Sequence, residues 1–166
     1  MPTTAPAPLT ADEVIALLGL APLEGEGGFF RQTYVRKDAV STTAILYLVT
    51  PESFSSLHRL NHDELFHAYL GDPCRMLTFR DGELPVETIL GGDLRGGQRI
   101  QHLVPAGTWQ GTRLVEGGAW ALLGTTMTPG FDPAGFEGAS DAILAGLSPE
   151  IATLLRPYLP SSLGKS

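Results

Sequence analysis

The chain has 166 residues, 43% of them hydrophobic and 17% charged, with a formal net charge of −7 at neutral pH. That length suits one domain with a core that needs no disulfide or structural metal, and the apolar balance argues against extended disorder. The negative charge, with no local Lys/Arg cluster, excludes phosphate backbones and anionic lipid surfaces as natural partners. Cys74 is the single cysteine, which forbids an intrachain disulfide and suits a reducing compartment. No apolar run reaches the roughly 20 residues of a membrane helix, and the N-terminus lacks the basic start and apolar core of a secretory signal. The expectation is a soluble cytoplasmic protein with neither nucleic acid nor membrane as partner.

Residues 1–8 are rich in Pro, Ala and Thr and read as a flexible arm, followed by one domain over 9–160 and a tail over 161–166. Thr10 and Glu13 have capping-box spacing. Val14, Ile15, Leu17 and Leu18 then give a short helix its apolar face, and Gly19 suits a left-handed stop.

Strand character begins near residue 29. Residues 42–49, nearly all apolar and rich in β-branched and aromatic side chains, predict a strand covered on both faces. Further strands are predicted at 54–60, 64–70, 74–80, 84–90, 100–104, 108–114 and 119–127. Asp81-Gly82 supplies a hairpin turn, and glycine pairs at 91–92, 96–97 and 117–118 mark other loops. Strands this short and closely spaced imply an all-β sandwich or closed barrel. After Pro129-Gly130 the pattern returns to helix at 139–147 and 149–155, the second with Pro in its first turn, and Pro157 stops it.

Three of the four histidines fall within His58-Arg59-Leu60-Asn61-His62-Asp63-Glu64-Leu65-Phe66-His67. From His58 to Gly71 the spacing resembles the first cupin motif, His-x-His, three or four residues, Glu, six residues, Gly. Here Leu60 replaces the second histidine. Pro105-Ala106-Gly107-Thr108-Trp109-Gln110 resembles the second motif, Pro-x-Gly-x-x-His, with Gln110 replacing its histidine. Further blocks are Glu26-Gly27-Gly28-Phe29-Phe30-Arg31-Gln32-Thr33-Tyr34, Gly71-Asp72-Pro73, Pro129-Gly130-Phe131-Asp132 and Phe136-Glu137. With the two motifs they resemble a small single-domain cupin family without a settled biochemical role, over residues 12–155. Members of that family usually carry His-Pro before the Glu-Gly-Gly block, where this chain has Glu24-Gly25.

The resemblance implies an antiparallel double-stranded β-helix, a jelly-roll barrel related to the nucleotide-sugar 3,5-epimerase cupins, with short terminal helices. It also implies a homodimer, which an apolar sheet face bearing His67 and Tyr69 would suit. In that register His58 and Glu64 point into the barrel and Gln110 joins them. A carboxylate and an imidazole in an apolar interior are costly unless paired or functional, so these are candidate site residues. The plainer reading is a buried hydrogen bond holding the strands together. In an enzyme, His58 would be the general base or acid, Glu64 would orient it, and Gln110 would hold a substrate oxygen.

Metal-dependent cupins use three histidines and a glutamate. Leucine has no lone pair and an amide oxygen is a weak ligand, so no cofactor is expected beyond a weakly bound divalent ion at His58 and Glu64. Glu26, Phe30 and Arg31 form a second candidate block, Arg31 as a clamp for a carboxylate or phosphate. Tyr47, Phe66 and Trp109 are candidates to line a pocket for a ring, against the plainer reading of core aromatics. His62 is placed in a turn and His102 is read as structural or surface. The segment holding Asp132 and Glu137 reads as a closing loop. The function expected is capture of a small polar or ring-bearing metabolite, with metal-independent isomerase- or epimerase-type proton transfer as its catalytic form. A non-catalytic binding or sensing module is the alternative.

Overall fold

The computed structural model describes residues 7–160; most of the N-terminal arm and all of the C-terminal tail lie outside the described residues. Helix α1, Ala11–Leu18, starts at the capping box its sequence requires. The Glu13 N–H donates to Thr10 Oγ1 at 3.3 Å, and the Thr10 N–H donates to the Glu13 carboxylate at 2.7 Å. Gly19, at φ +60°, ends the helix in the left-handed region.

Eleven strands follow: β1 Ala21–Pro22, β2 Phe29–Arg36, β3 Thr42–Val49, β4 Ser55–Arg59, β5 Glu64–Gly71, β6 Cys74–Phe79, β7 Val86–Leu90, β8 Gln101–Val104, β9 Trp109–Leu114, β10 Ala121–Met127 and β11 Glu137–Gly138. The long strands fall where alternation and apolar runs place them, and only the two-residue β1 and β11 escape sequence reading. The strands pair antiparallel into a six-stranded sheet, β1-β2-β3-β10-β5-β8, and a five-stranded sheet, β11-β4-β9-β6-β7. Consecutive strands repeatedly switch sheets, as in a jelly roll.

The apolar run of β3 is explained by its two faces. Tyr47 and Val49 enter the core between the sheets with Phe66, Cys74, Met76 and Leu123. Leu46 and Leu48 face outward, where Val14 and Leu20 of the α1 region cover them. The five-stranded sheet is covered on its outer face as well. Leu57, Leu77, Phe79 and Trp109 pack there against Leu155 and Tyr158, from helix α3, Pro149–Leu155, and the turn after it. Helix α2, Asp141–Ala145, adds Ile143 to that cluster.

The register of the large sheet divides the barrel lengthwise. Tyr47, Leu123 and Ala68 lie side by side on adjacent strands, as do Ile45, Thr125 and Phe66, and then Thr43, Met127 and Glu64. Side chains alternate across a strand, so these rows share the inner face. The first row belongs to the packed core, whereas the last row, with Ile45 and Thr125, turns polar and opens into a cavity.

Candidate functional site

The cavity lies at the end of the barrel where β3 and β5 begin and β10 ends. Its volume is about 340 Å³. Thr43 and Ile45 of β3, Glu64 of β5, and Thr125 and Met127 of β10 form one wall. Phe30 and Gln32 of β2 add to it, because alternation brings them inward together. The segment after β10 closes the other side with Phe131, Pro133 and Phe136, as the sequence suggests for a closing loop. A short 3-10 turn, Pro133–Gly135, and the pairing of β11 with β4 hold that segment in place. Arg59 reinforces it by donating to Glu137 at 2.6 Å.

Glu26 enters from the loop between β1 and β2. Its Oε1 accepts from Ser55 Oγ at 2.7 Å, and its backbone carbonyl accepts from the Ser56 N–H at 3.0 Å. Gly27 and Gly28 make that turn at φ +103° and +74°. The Tyr47 hydroxyl donates to the Gly27 carbonyl at 2.8 Å, and a Cβ on Gly28 would lie 2.6 Å from that hydroxyl. Glycine is therefore required at residue 28 by space and by backbone conformation together.

Behind the cavity wall lies a buried polar cluster. His58 and Gln110 are register partners on β4 and β9, each 1% exposed. Glu64, 7% exposed, comes from the opposite sheet, and its Oε2 accepts from Gln110 Nε2 at 2.7 Å. This hydrogen bond ties the two sheets together. The Gln110 carbonyl oxygen is buried with no partner among the described residues. His58 Nδ1 lies 2.7 Å from the Ser56 carbonyl. A carbonyl only accepts, so Nδ1 carries the proton. That leaves Nε2 3.9 Å from the Glu26 carboxylate. The His58 ring stacks on Phe136, with centroids 5.3 Å apart.

Burial pushes the Glu64 carboxyl above the usual carboxylate range, and the neighbouring Glu26 charge raises it further. His58, Thr125 and Gln110 pull in the other direction and only partly offset the rise. Burial, with the Glu26 charge second, also holds the Tyr47 phenol well above its ordinary value.

The structure brings some of the candidate residues together and separates others. Glu26, Phe30 and Glu64 line the cavity, with His58 and Gln110 directly behind them. Arg31 has the opposite parity to Phe30 and lies exposed on the outer side of the large sheet, away from the cavity. Tyr47 and Phe66 are core residues, and Trp109 belongs to the outer cluster beneath α3, with its indole N–H donating to Asp81. His62 sits in the bend before β5, and His102 is half-buried on β8. His67 lies on the outer face against Tyr69. Gln32, Thr43, Thr125, Phe131 and Phe136 line the cavity without having been singled out as site residues. Gln32 was readable from its alternation with Phe30. The others need the long-range register of β3, β5 and β10 or the path of the closing segment.

A family model described as the cupin superfamily (DUF985), Cupin_5, matches residues 12–139. The chain belongs to that family. A hypothetical protein from Leishmania major shares 26% identity, with 91% of this chain and 99% of that one covered and a TM-score of 0.80. A structural-genomics protein from Shewanella oneidensis also shares 26% identity, covering 92% of this chain and 99% of its own at a TM-score of 0.84. At 13% identity, a single-site variant of Bacillus subtilis oxalate decarboxylase matches 85% of this chain and 35% of its own, at a TM-score of 0.56; it shares the fold alone. No curated protein matches this chain.

The histidine-rich metal site that the cupin fold implies does not fit the residues present. Leu60 contributes only hydrocarbon to the cavity wall, and Gln110 turns an N–H donor, not a lone pair, towards Glu64. Among the described residues no group of three or more His, Cys, Asp or Glu side chains is arranged to hold a metal ion.

Proposed function

We propose that the protein captures a small, ring-bearing polar molecule in the end of its barrel. One observation carries the reading: the phenyl rings of Phe30, Phe131 and Phe136 and the carboxylates of Glu26 and Glu64 line the same cavity. Its volume falls in the range of roughly 300–1,000 Å³ typical of small-molecule sites. An apolar wall with a few fixed polar groups selects a flat or cyclic body with a polar edge. A purely structural acid would not need to reach the surface of a cavity, and Glu64 does. Thermal-shift screening of ring-bearing metabolites tests the proposal. A hit should stabilise the wild type, and Phe136→Ala should weaken its binding at least tenfold. Hits that bind Phe136→Ala as tightly as wild type would refute it.

A catalytic form of this reading is metal-independent proton transfer, of isomerase or epimerase type. It is supported by a carboxyl with a raised affinity for protons on the cavity wall and by the fixed tautomer of His58 behind Glu26. His58 is not on the cavity wall, so it would act as a base, its unprotonated Nε2 taking a proton that leaves the ligand by way of Glu26 and returning it by the same path. Exchange of ligand carbon-bound hydrogen with deuterated solvent, lost in His58→Ala, supports catalysis. Binding without exchange or turnover supports a sensing module. The reading uses no metal, although a weakly held divalent ion beside His58 and Glu64 would be detected by elemental analysis of the purified protein.

The same proposal includes a homodimer and a cytoplasmic location. The outer face of the large sheet bears Tyr34, Tyr69 and Leu103, each about half exposed, which favours a second copy as its cover. A dimeric mass in solution at micromolar concentration is expected, reduced to monomeric by Tyr69→Glu; a monomeric wild type refutes it. The free, buried Cys74 favours a reducing compartment, and no helix among the described residues is long and apolar enough to cross a membrane.

A further inference from the structure

The residues around the cavity carry charge of one sign only. Glu24, Glu26 and Glu64 line it, and no lysine, arginine or histidine does among the described residues. Of the guanidiniums next in sequence to lining residues, Arg31 lies on the other side of its sheet, and Arg59 lies over Trp109, paired with Glu137 and Asp81. The acids are not isolated on a surface. Glu64 is almost fully buried, and Glu26 is largely so and is fixed by Ser55. Three phenyl rings share the same space, and the face of each ring is a region of negative potential that attracts cations within about 6 Å.

The unsatisfied polar chemistry has the same sense. Immediately behind Glu64, the buried carbonyl oxygen of Gln110 has no donor among the described residues. The carboxyl of Glu64 is held above its usual range by burial and by Glu26, which are penalties that a positive charge placed between the two would relieve. Carboxylates, an amide oxygen and ring faces all accept; the site lacks a fixed cation to meet an anion.

We infer that the ligand is an organic cation, a protonated amine carried on a ring or compact apolar body, with its ammonium between Glu26 and Glu64 and its body against Phe30, Phe131 and Phe136. This inference rests on the proposed capture of a ring-bearing molecule and narrows its class. It sets the site apart from pockets for sugar nucleotides or small dicarboxylates, whose charge would face two acids with no basic side chain among the described residues of the cavity wall. The protein's net charge of −7 also favours the approach of cations over anions.

Three phenyl probes of similar size test it: benzylamine, benzyl alcohol and benzoate, titrated calorimetrically into wild type, Glu26→Gln and Glu64→Gln at pH 7.5. Benzylamine should bind wild type at least tenfold more tightly than benzyl alcohol, with benzoate weakest. Glu26→Gln should bring the amine and the alcohol to within about threefold of each other, chiefly by weakening the amine. The glutamine keeps the Oε1 that accepts from Ser55, and Glu64→Gln provides a second reading if Glu26→Gln unfolds. Equal binding of all three probes, or an amine preference that survives both substitutions, overturns the inference while leaving capture of a ring-bearing molecule intact. Failure of all three probes to bind, together with unaltered binding of any screening hit by Phe136→Ala, overturns both.

Discussion

Replacing Glu64 by glutamine keeps the shape of the side chain and an oxygen for the Gln110 N–H, while it removes the charge and turns one acceptor oxygen into an amide donor. At neutral pH the hydrogen bond loses its ionic acceptor, which costs about 1 kcal/mol, the difference between charged and neutral hydrogen bonds. Against this, the variant no longer buries a carboxylate, a penalty of several kcal/mol in real proteins. Burial is the largest influence on this group, so desolvation outweighs the weakened hydrogen bond. The variant should be more stable than wild type at pH 8 by about 1–2 kcal/mol, or about 3–6 °C in Tm for a domain of this size.

The pH dependence has a definite sign. A carboxyl whose folded pKa is raised binds more protons in the native state than in the unfolded one. Its stabilising contribution is fully present below the unfolded value near 4.3, and is lost as pH rises through the folded value. Wild type should therefore lose stability relative to Glu64→Gln between pH 5 and pH 8. Urea denaturation followed by tryptophan fluorescence across that range measures both slopes. A variant less stable than wild type at pH 8, with a parallel pH profile, would refute the reasoning and make Glu64 a structural tie.

Three further outcomes follow from packing. Gly28→Ala should cost at least about 2 kcal/mol, because its Cβ would collide with the buried Tyr47 ring at a positive φ; a smaller loss in chemical denaturation would show that the turn can shift. Gly124→Ala, whose Cβ would meet Tyr69 at 2.4 Å on the face proposed to be covered by a second copy, should displace that ring and weaken the dimer; a dimer as resistant to dilution as wild type would contradict this. Leu155→Ala should cost about 2–5 kcal/mol, because the side chain is fully buried against Leu57, Trp109 and Tyr158. A near-neutral value would mean that α3 contributes little to the stability of the five-stranded sheet.

Much of the barrel was legible because its physics is local. The alternation in β5, the glycine turns and the Thr10 capping box each constrain their own neighbourhood. The two-residue strands β1 and β11 carry no periodicity to read and exist only because β2 and β4 offer edges. The polar part of the candidate site was legible, since His58, Glu64 and Gln110 stand out in an apolar barrel, and two of them hydrogen-bond. Its walls were less so. Arg31 could have been set aside by parity once Phe30 was taken as inward-facing. Trp109 lies next to Gln110 in sequence, and alternation sends it to the outer face. Phe131 and Phe136 reach the cavity through a segment that crosses the barrel end, and nothing in their immediate sequence dictates where it lands. The replacement of two cupin histidines by Leu60 and Gln110 was readable directly from the two motifs.

The most direct test of the account is the position of a bound molecule. A crystal of the protein soaked with a screening hit should show the ligand's ring against Phe30 or Phe136, with a polar atom within hydrogen-bonding distance of Glu26 or Glu64. A hit bound elsewhere on the surface, with the cavity left to solvent, would contradict the claim that this end of the barrel is the working site.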